Sequence, residues 1–172
     1  MISAVIIAKN AEDKLAGCLE SLKNWADEIV VLDTGSTDKT IEIAKKFKAK
    51  VGKFKHSDFA TWRNEAAKLA TCDWLFYIDH DERASEELKS EITQSVENQQ
   101  YQAYDIPRKN YVFGKWLKYG GWWPDKVLRL IKKDALIKWE GEVHEHPKIE
   151  GSVGNLKNPL INNVIYLEKS GG

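Results

Sequence analysis

The chain has 172 residues, 42% of them apolar and 30% charged, and its 26 basic and 26 acidic side chains cancel to a formal net charge of zero. That length suits one domain with a single core, and the charge balance argues against a protein whose partner is nucleic acid, where affinity rests on excess positive charge. The N-terminal apolar run is far too short for a signal-peptide core, and no later segment reaches membrane-spanning length, although a place on a membrane surface stays open.

Strand and helix patterns alternate through the first hundred residues. Residues 2–8 are a short β-branched apolar run and predict a buried strand. Leu15, Leu19 and Leu22 recur at helical spacing. Residues 28–32 predict a second buried strand, ending at Asp33. Gly35-Ser36-Thr37-Asp38 is a turn able to cap a helix that buries Ile41, Ala44 and Phe47. A weak third strand falls at 50–54. Trp62, Ala66 and Leu69 mark the buried face of a third helix, and 74–78 is a fourth strand. Leu88, Ile92 and Val96 mark a fourth helix, with Ser85 as its N-cap. Strands joined through single helices run parallel with right-handed crossovers, so the fold class is α/β with helices on both faces of a mostly parallel sheet.

Beyond Gln100 the texture changes. Residues 103–107 and 126–131 read as strands, and 160–167 as an apolar strand-like stretch. Between the first two lies an aromatic, glycine-rich segment, 111–124, in which Trp116, Tyr119, Trp122 and Trp123 crowd together. Aromatics more often fill a core, but a platform stacking on a sugar ring is the alternative. Cys18 and Cys72 are too few for a disulfide framework or zinc site and read as small core residues in a reducing, cytoplasmic setting. The chain ends abruptly at Ser170-Gly171-Gly172, which reads as a truncated second half.

Parallel sheets bind ligands at the carboxyl ends of their strands. Lys9-Asn10, Asp33 and Asp79-His80-Asp81 are all expected at that edge. Two carboxylates at i and i+2 repel unless a cation sits with them. Mg²⁺ or Mn²⁺ held by one or two carboxylates completes its shell with water and phosphate oxygens, so this pair suggests a metal-bound diphosphate. A lone Asp-x-Asp arises often by chance, and the plainer account is an acidic turn before the Ser85 helix; convergence on one edge favours the site. Asp33 could cap the following turn or accept from a base or ribose. Arg63 could form a surface ion pair or recognise a nucleotide. His144-Glu145-His146 is a weak zinc signal without a third ligand; if the segment is a loop over the cleft, Glu145 could act as a general base.

Several stretches, in order, carry a family resemblance: residues 2–10, 25–38, Arg63-Asn64, Asp79-His80-Asp81-Glu82-Arg83, Gly120-Gly121-Trp122-Trp123-Pro124-Asp125, Arg129-Leu130 and Val143-His144-Glu145. Together they resemble glycosyltransferase family 2 with the GT-A fold, and within it the bacterial lipopolysaccharide-core β-1,4-glucosyltransferase group. The resemblance implies one domain over 1–172, with 1–100 the nucleotide-sugar-binding half and 101–172 the acceptor-side half. It implies inverting transfer from a nucleotide-sugar donor, a UDP-hexose, to a glycan or lipid-linked saccharide. Ala8, Asn10, Asp33, Arg63, Asp79 and His80 would line the donor site. Asp79 and Asp81 would hold Mg²⁺ or Mn²⁺, and Glu145 or Asp125 would face the acceptor as base. The setting expected is cytoplasmic, with the inner face of the plasma membrane as one place within it. Two rivals stand beside this reading: a non-catalytic nucleotide-sugar or carbohydrate-binding domain, and a Mg²⁺-dependent phosphatase, whose Asp-x-Asp usually follows the first strand rather than the fourth.

Overall fold

The computed structural model describes residues 1–165, so the end of the stretch expected at 160–167 and the terminal Ser170-Gly171-Gly172 lie outside the described residues. The first half contains β1 (Ile2–Ala8), α1 (Leu15–Leu22), β2 (Glu28–Asp33), α2 (Thr40–Lys46), β3 (Lys50–Lys53), α3 (Phe59–Leu69), β4 (Trp74–Tyr77), β5 (Glu82–Ala84) and α4 (Glu86–Asn98). The second contains β6 (Ala103–Val112), β7 (Lys115–Trp116), β8 (Asp125–Lys132), β9 (Leu136–Glu140), β10 (His146–Ile149), β11 (Val153–Asn155) and β12 (Leu160–Ile165).

The order along the main sheet is β3-β2-β1-β4-β8-β6-β12-β5. β3, β2, β1 and β4 are parallel, as the helical connections require. β8 pairs antiparallel to β4, and β6 antiparallel to β8. The parallel character therefore belongs to the first half, and the sheet as a whole is mixed. The sequence pattern did not predict the three-residue β5, which pairs with β12.

β1 is buried at every position, because helices cover both faces of the sheet. On one side Leu15, Leu19 and Leu22 of α1 and Leu88 and Ile92 of α4 pack against Ile6, Trp74 and Phe76. On the other, Ala60 and Ala66 of α3 and Trp139 of β9 pack against Val5, Leu32 and Tyr77. Full burial of side chains such as Leu or Phe contributes about 1.5–3 kcal/mol each. Cys18 and Cys72 are free, buried thiols, and burial pushes the Cys18 thiol up. The expected N-cap is present: the Ser85 hydroxyl accepts from the Leu88 N–H. Asp58 caps α3 by accepting from the Thr61 N–H, and such caps contribute about 1 kcal/mol.

The third helix is turned relative to its expected register. Arg63 is 2% exposed, whereas Trp62 and Leu69 are only half-buried. The apolar stripe suggested the opposite, because a charged residue is seldom buried unless partnered. Here Arg63 has partners.

Candidate active site

The parallel register brings Ala8, Asp33 and the segment after Tyr77 to one edge. At the first two strand ends the backbone is knitted together. The Thr34 N–H donates to the Ala8 carbonyl, and the Asp33 carboxylate accepts from the N–H groups of Gly35 and Ser36 at 3.1–3.3 Å. Asn10, with φ of 48°, accepts at its side-chain oxygen from the Thr37 N–H at 2.8 Å. A cavity of about 360 Å³ opens beside Asp33, lined by Lys9, Thr34, Gly35, Lys55, His56 and Trp62 among others. The larger cavity, about 580 Å³, is lined by residues such as Asp27, Glu28 and Lys50 at the opposite, amino-terminal end of the strands. The strand-end chemistry therefore lies away from that larger hollow.

The Asp79–Glu82 segment is a tight turn closed in both directions. The Glu82 N–H donates to the Asp79 carbonyl at 3.0 Å, and Glu82 Oε1 accepts from the Asp79 N–H at 2.8 Å. His80 and Asp81 sit at its tip, both half-buried. Two arginines converge on Asp79. Oδ1 accepts from Nη1 of Arg129 at 3.1 Å and from Nη2 of Arg63 at 3.3 Å. Burial alone would raise the Asp79 pKa, but the charges of Arg129 and then Arg63 outweigh it and hold the carboxyl well below the usual range. Glu82 goes the other way. Its burial, and then the charge of Asp79, push it up to about 8 against the pull of Arg129 and Arg108. Its Oε2 is buried with no hydrogen-bond partner.

The same Arg63 nitrogen donates to Glu145 Oε1 at 3.3 Å. Its guanidinium lies 4.8 Å from the Trp139 ring centroid and 5.7 Å from that of Tyr77, so aromatic faces hold the cation in place. Asn64 fastens the helix to β9: it accepts from the Trp139 N–H at 2.7 Å and donates to its carbonyl at 2.9 Å. The loop after β9 then reverses tightly. Gly141 has φ of 104°, and a Cβ there would meet the His144 carbonyl oxygen at 2.6 Å, so only glycine fits. Glu145 thus lies in a loop at the cleft rather than in a regular strand. His146 Nε2 lies 3.5 Å from Glu140, and the two histidines gather no third ligand among the described residues.

Asp125 occupies a separate wall. Its Oδ2 accepts from Arg108 Nε at 2.8 Å and from Asn110 Nδ2 at 3.0 Å, and Asn162 in turn donates to the Asn110 side chain at 2.9 Å. Of the aromatic segment, Trp116 and Trp123 meet edge to face at 5.2 Å, while Tyr119 and Trp122 are exposed.

The donor set at the turn suits a hard cation. Both arginines take Oδ1 of Asp79, which leaves Oδ2, and Asp81 forms no ion pair or hydrogen bond among the described residues. No group of three or more protein ligands is assembled among them. Two carboxylates without further protein ligands match Mg²⁺ or Mn²⁺ completed by phosphate and water. Glu82, Arg108, Asn110 and Arg129 had no assigned role in the sequence reading. A detectable signal existed: Arg129 interrupts the apolar run Val127-Leu128-Arg129-Leu130-Ile131, and a charge inside a buried strand needs a partner.

The family model described as Glycosyl transferase family 2 matches residues 3–146. The chain belongs to that family. Its relatives include the SPbeta prophage-derived glycosyltransferase SunS of Bacillus subtilis (strain 168), 31% identical over 150 residues, covering 85% of this chain and 34% of SunS. An uncharacterized glycosyltransferase of Rickettsia conorii is 40% identical over 108 residues, covering 61% of this chain and 38% of that protein. The chain thus spans about a third of the length of the curated relatives it matches. Among solved structures, S. aureus TarS 1-349 superposes with a TM-score of 0.72 at 16% identity, over 94% of this chain and 60% of TarS 1-349. Glucosyl-3-phosphoglycerate synthase from Mycobacterium tuberculosis, in complex with Mn²⁺ and UDP, gives 0.53 at 22% identity, over 66% of this chain and 44% of that one. These likenesses, with the half-parallel mixed sheet covered by helices, establish the GT-A fold.

Proposed function

We propose that this family 2 domain catalyses inverting transfer of a hexose from a UDP-sugar to a hydroxyl of a glycan or lipid-linked saccharide, in the manner of the lipopolysaccharide-core glucosyltransferases. The observation that carries the reading is the pairing of Asp79 and Glu145 on one Arg63 nitrogen, at the sheet edge that also holds Asp33. S. aureus TarS 1-349 has been crystallised with UDP and with UDP-GlcNAc, and the mycobacterial synthase with UDP and Mn²⁺ or Mg²⁺. Residues 1–100 form the donor half and 101–172 the acceptor half.

Each residue has a chemical part in this reading. The cavity beside Asp33 receives the nucleoside. Asp33, Asn10 and Ala8 adjoin its lining residues Thr34 and Lys9 along the chain, and Trp62 offers a stacking face. Asp79 and Asp81, with His80 between them, meet the diphosphate, and the divalent cation they would hold supplies charge neutralisation for the leaving group. Arg63 and Arg129 keep Asp79 ionised and oriented. Glu145 takes the proton of the acceptor hydroxyl. That oxygen bonds the anomeric carbon as the carbon–diphosphate bond breaks, and the diphosphate leaves with the electron pair. An α-linked donor so yields a β-linked product. Asp125 is the less suitable base, because its Oδ2 already accepts from Arg108 and Asn110.

The test is a thermal-shift screen of nucleoside diphosphates and nucleotide sugars with and without Mn²⁺, followed by a transfer assay on lipid-linked acceptors. A ligand that binds only the folded state raises its stability by mass action. Stabilisation by UDP-sugars with product formed supports the reading. Binding without turnover on any acceptor supports a non-catalytic binding domain, and phosphate release from a phosphomonoester supports the phosphatase.

A further inference from the structure

We infer that the β6–β7 hairpin and the loop that follows it form a docking surface for a bilayer rich in anionic lipid. The hairpin pairs Tyr111 with Trp116 and Val112 with Lys115, and Phe113 and Gly114 form its tip, both left-handed at φ of 50° and 74°. Glycine and asparagine suit such a turn; a bulky aromatic there is strained. Phe113 is also 63% exposed, so its ring gains little from the fold. Strain and exposed apolar surface coincide at one projecting residue. Tyr119, 87% exposed, and Trp122, 44% exposed, follow in the same segment.

The charge around these rings is of one sign. Lys109 and Lys118 place their ammonium groups 4.0 and 4.5 Å from the Trp116 ring centroid, and Lys115 is exposed beside the tip. From Ile106 to Pro124 there is no acidic residue, although the whole chain carries as many acids as bases. Aromatic rings settle at headgroup depth, and each lysine close to an anionic surface strengthens partition by about fivefold. An acidic polymer would answer the lysines but would leave the projecting Phe113 unused. The hairpin grows from the strand whose Arg108 and Asn110 hold Asp125, so docking would set the acceptor side of the cleft toward the lipid. This deepens the lipid-linked acceptor of the proposed function, but its test needs no turnover.

The experiment is co-sedimentation of the full chain with phosphatidylcholine vesicles and with vesicles that also contain phosphatidylglycerol, with tryptophan quenching by brominated lipid as the depth readout. Phosphatidylglycerol should raise partition by about twenty-five-fold, two lysines' worth, with quenching. Phe113→Gly relieves the strained φ and should fold at least as well, yet bind vesicles several-fold more weakly. Lys115→Glu should abolish the preference for phosphatidylglycerol, and UDP binding should be unchanged in both variants. Equal partition to both vesicles, wild-type binding by Phe113→Gly, or association without quenching that soluble heparin abolishes would each overturn the proposal. Loss of UDP binding in the wild-type protein would instead count against the donor reading alone.

Discussion

Glu145 reaches Asp79 through a single atom, Nη2 of Arg63, which lies 3.3 Å from a carboxylate oxygen of each. The loop after β9 and the turn after β4 are thereby coupled across the cleft. In the proposed function, donor diphosphate arriving at Asp79 would compete for the same guanidinium, and drawing Arg63 toward phosphate would release Glu145 toward the acceptor. The cation is 2% exposed and walled by Trp139 and Tyr77, so its reach is short and the exchange local.

Replacing Glu145 by Gln removes the proposed base and keeps the shape. General-base assistance is worth about 10²–10⁴ in rate, so kcat should fall by that order while calorimetry finds UDP-sugar affinity nearly unchanged. Near-normal turnover in Glu145→Gln, together with an inactive, donor-binding Asp125→Asn, would move the role to Asp125.

Gly141→Ala tests how the loop aims Glu145. The added Cβ meets the His144 carbonyl oxygen at 2.6 Å in a left-handed backbone, so the loop must shift. Steady-state kinetics should show a lower kcat with donor KM little altered. A raised donor KM at unchanged kcat would mean that the loop serves donor binding instead.

Arg129 partners two carboxylates, lying 3.1 Å from Asp79 and 4.0 Å from Glu82. Removing one member of a buried pair typically costs about 3–5 kcal/mol. Asp79 is 33% exposed and keeps Arg63, so Arg129→Met should lie at the lower end, about 3 kcal/mol. Urea denaturation measures it, and a change well under 1 kcal/mol would mean that Arg63 alone suffices.

The carboxylate pair also predicts a pH dependence. Glu82 keeps its proton in the folded protein up to about pH 8, whereas its ordinary value is 4.5. Between those values the folded state binds more protons than the unfolded chain, so this group's stabilisation is lost as pH rises. Asp79 is held low, so its contribution is lost as pH falls through the acid range. Glu82→Gln, which mimics the protonated acid, should flatten the decline in unfolding free energy between about pH 5 and pH 8 in chelator-treated buffer. An unchanged slope would assign the decline to other groups.

Much of the fold was legible because buried parallel strands write themselves as unbroken apolar runs, as in β1 and β4, and because Ser85 is a recognisable cap. The strand-end carboxylates Asp33, Asp79 and Asp81 were legible for the same reason: each follows such a run. The partners of Asp79 were not. Arg63 sits on a helix whose apolar spacing pointed to Trp62, and only tertiary contact decides which of two adjacent residues turns inward. β5 was hidden because three residues carry too little periodicity. The choice between Glu145 and Asp125 rests on how many donors each carboxylate already holds, Arg108 and Asn110 in one case and, among the described residues, Arg63 alone in the other. Sequence spacing does not encode that.

In the proposed function Asp79 and Asp81 hold a divalent cation against the diphosphate of a UDP-sugar. Calorimetric titration of UDP tests it most directly, in Mn²⁺ and in EDTA, on the wild-type protein, Asp81→Asn and Asp33→Asn. Mn²⁺ should tighten wild-type binding by at least about tenfold, a difference of about 1.4 kcal/mol. Asp81→Asn should lose that gain, and Asp33→Asn should weaken binding while keeping it. Equal UDP affinity with and without Mn²⁺ in the wild-type protein would rule out that metal role for Asp79 and Asp81.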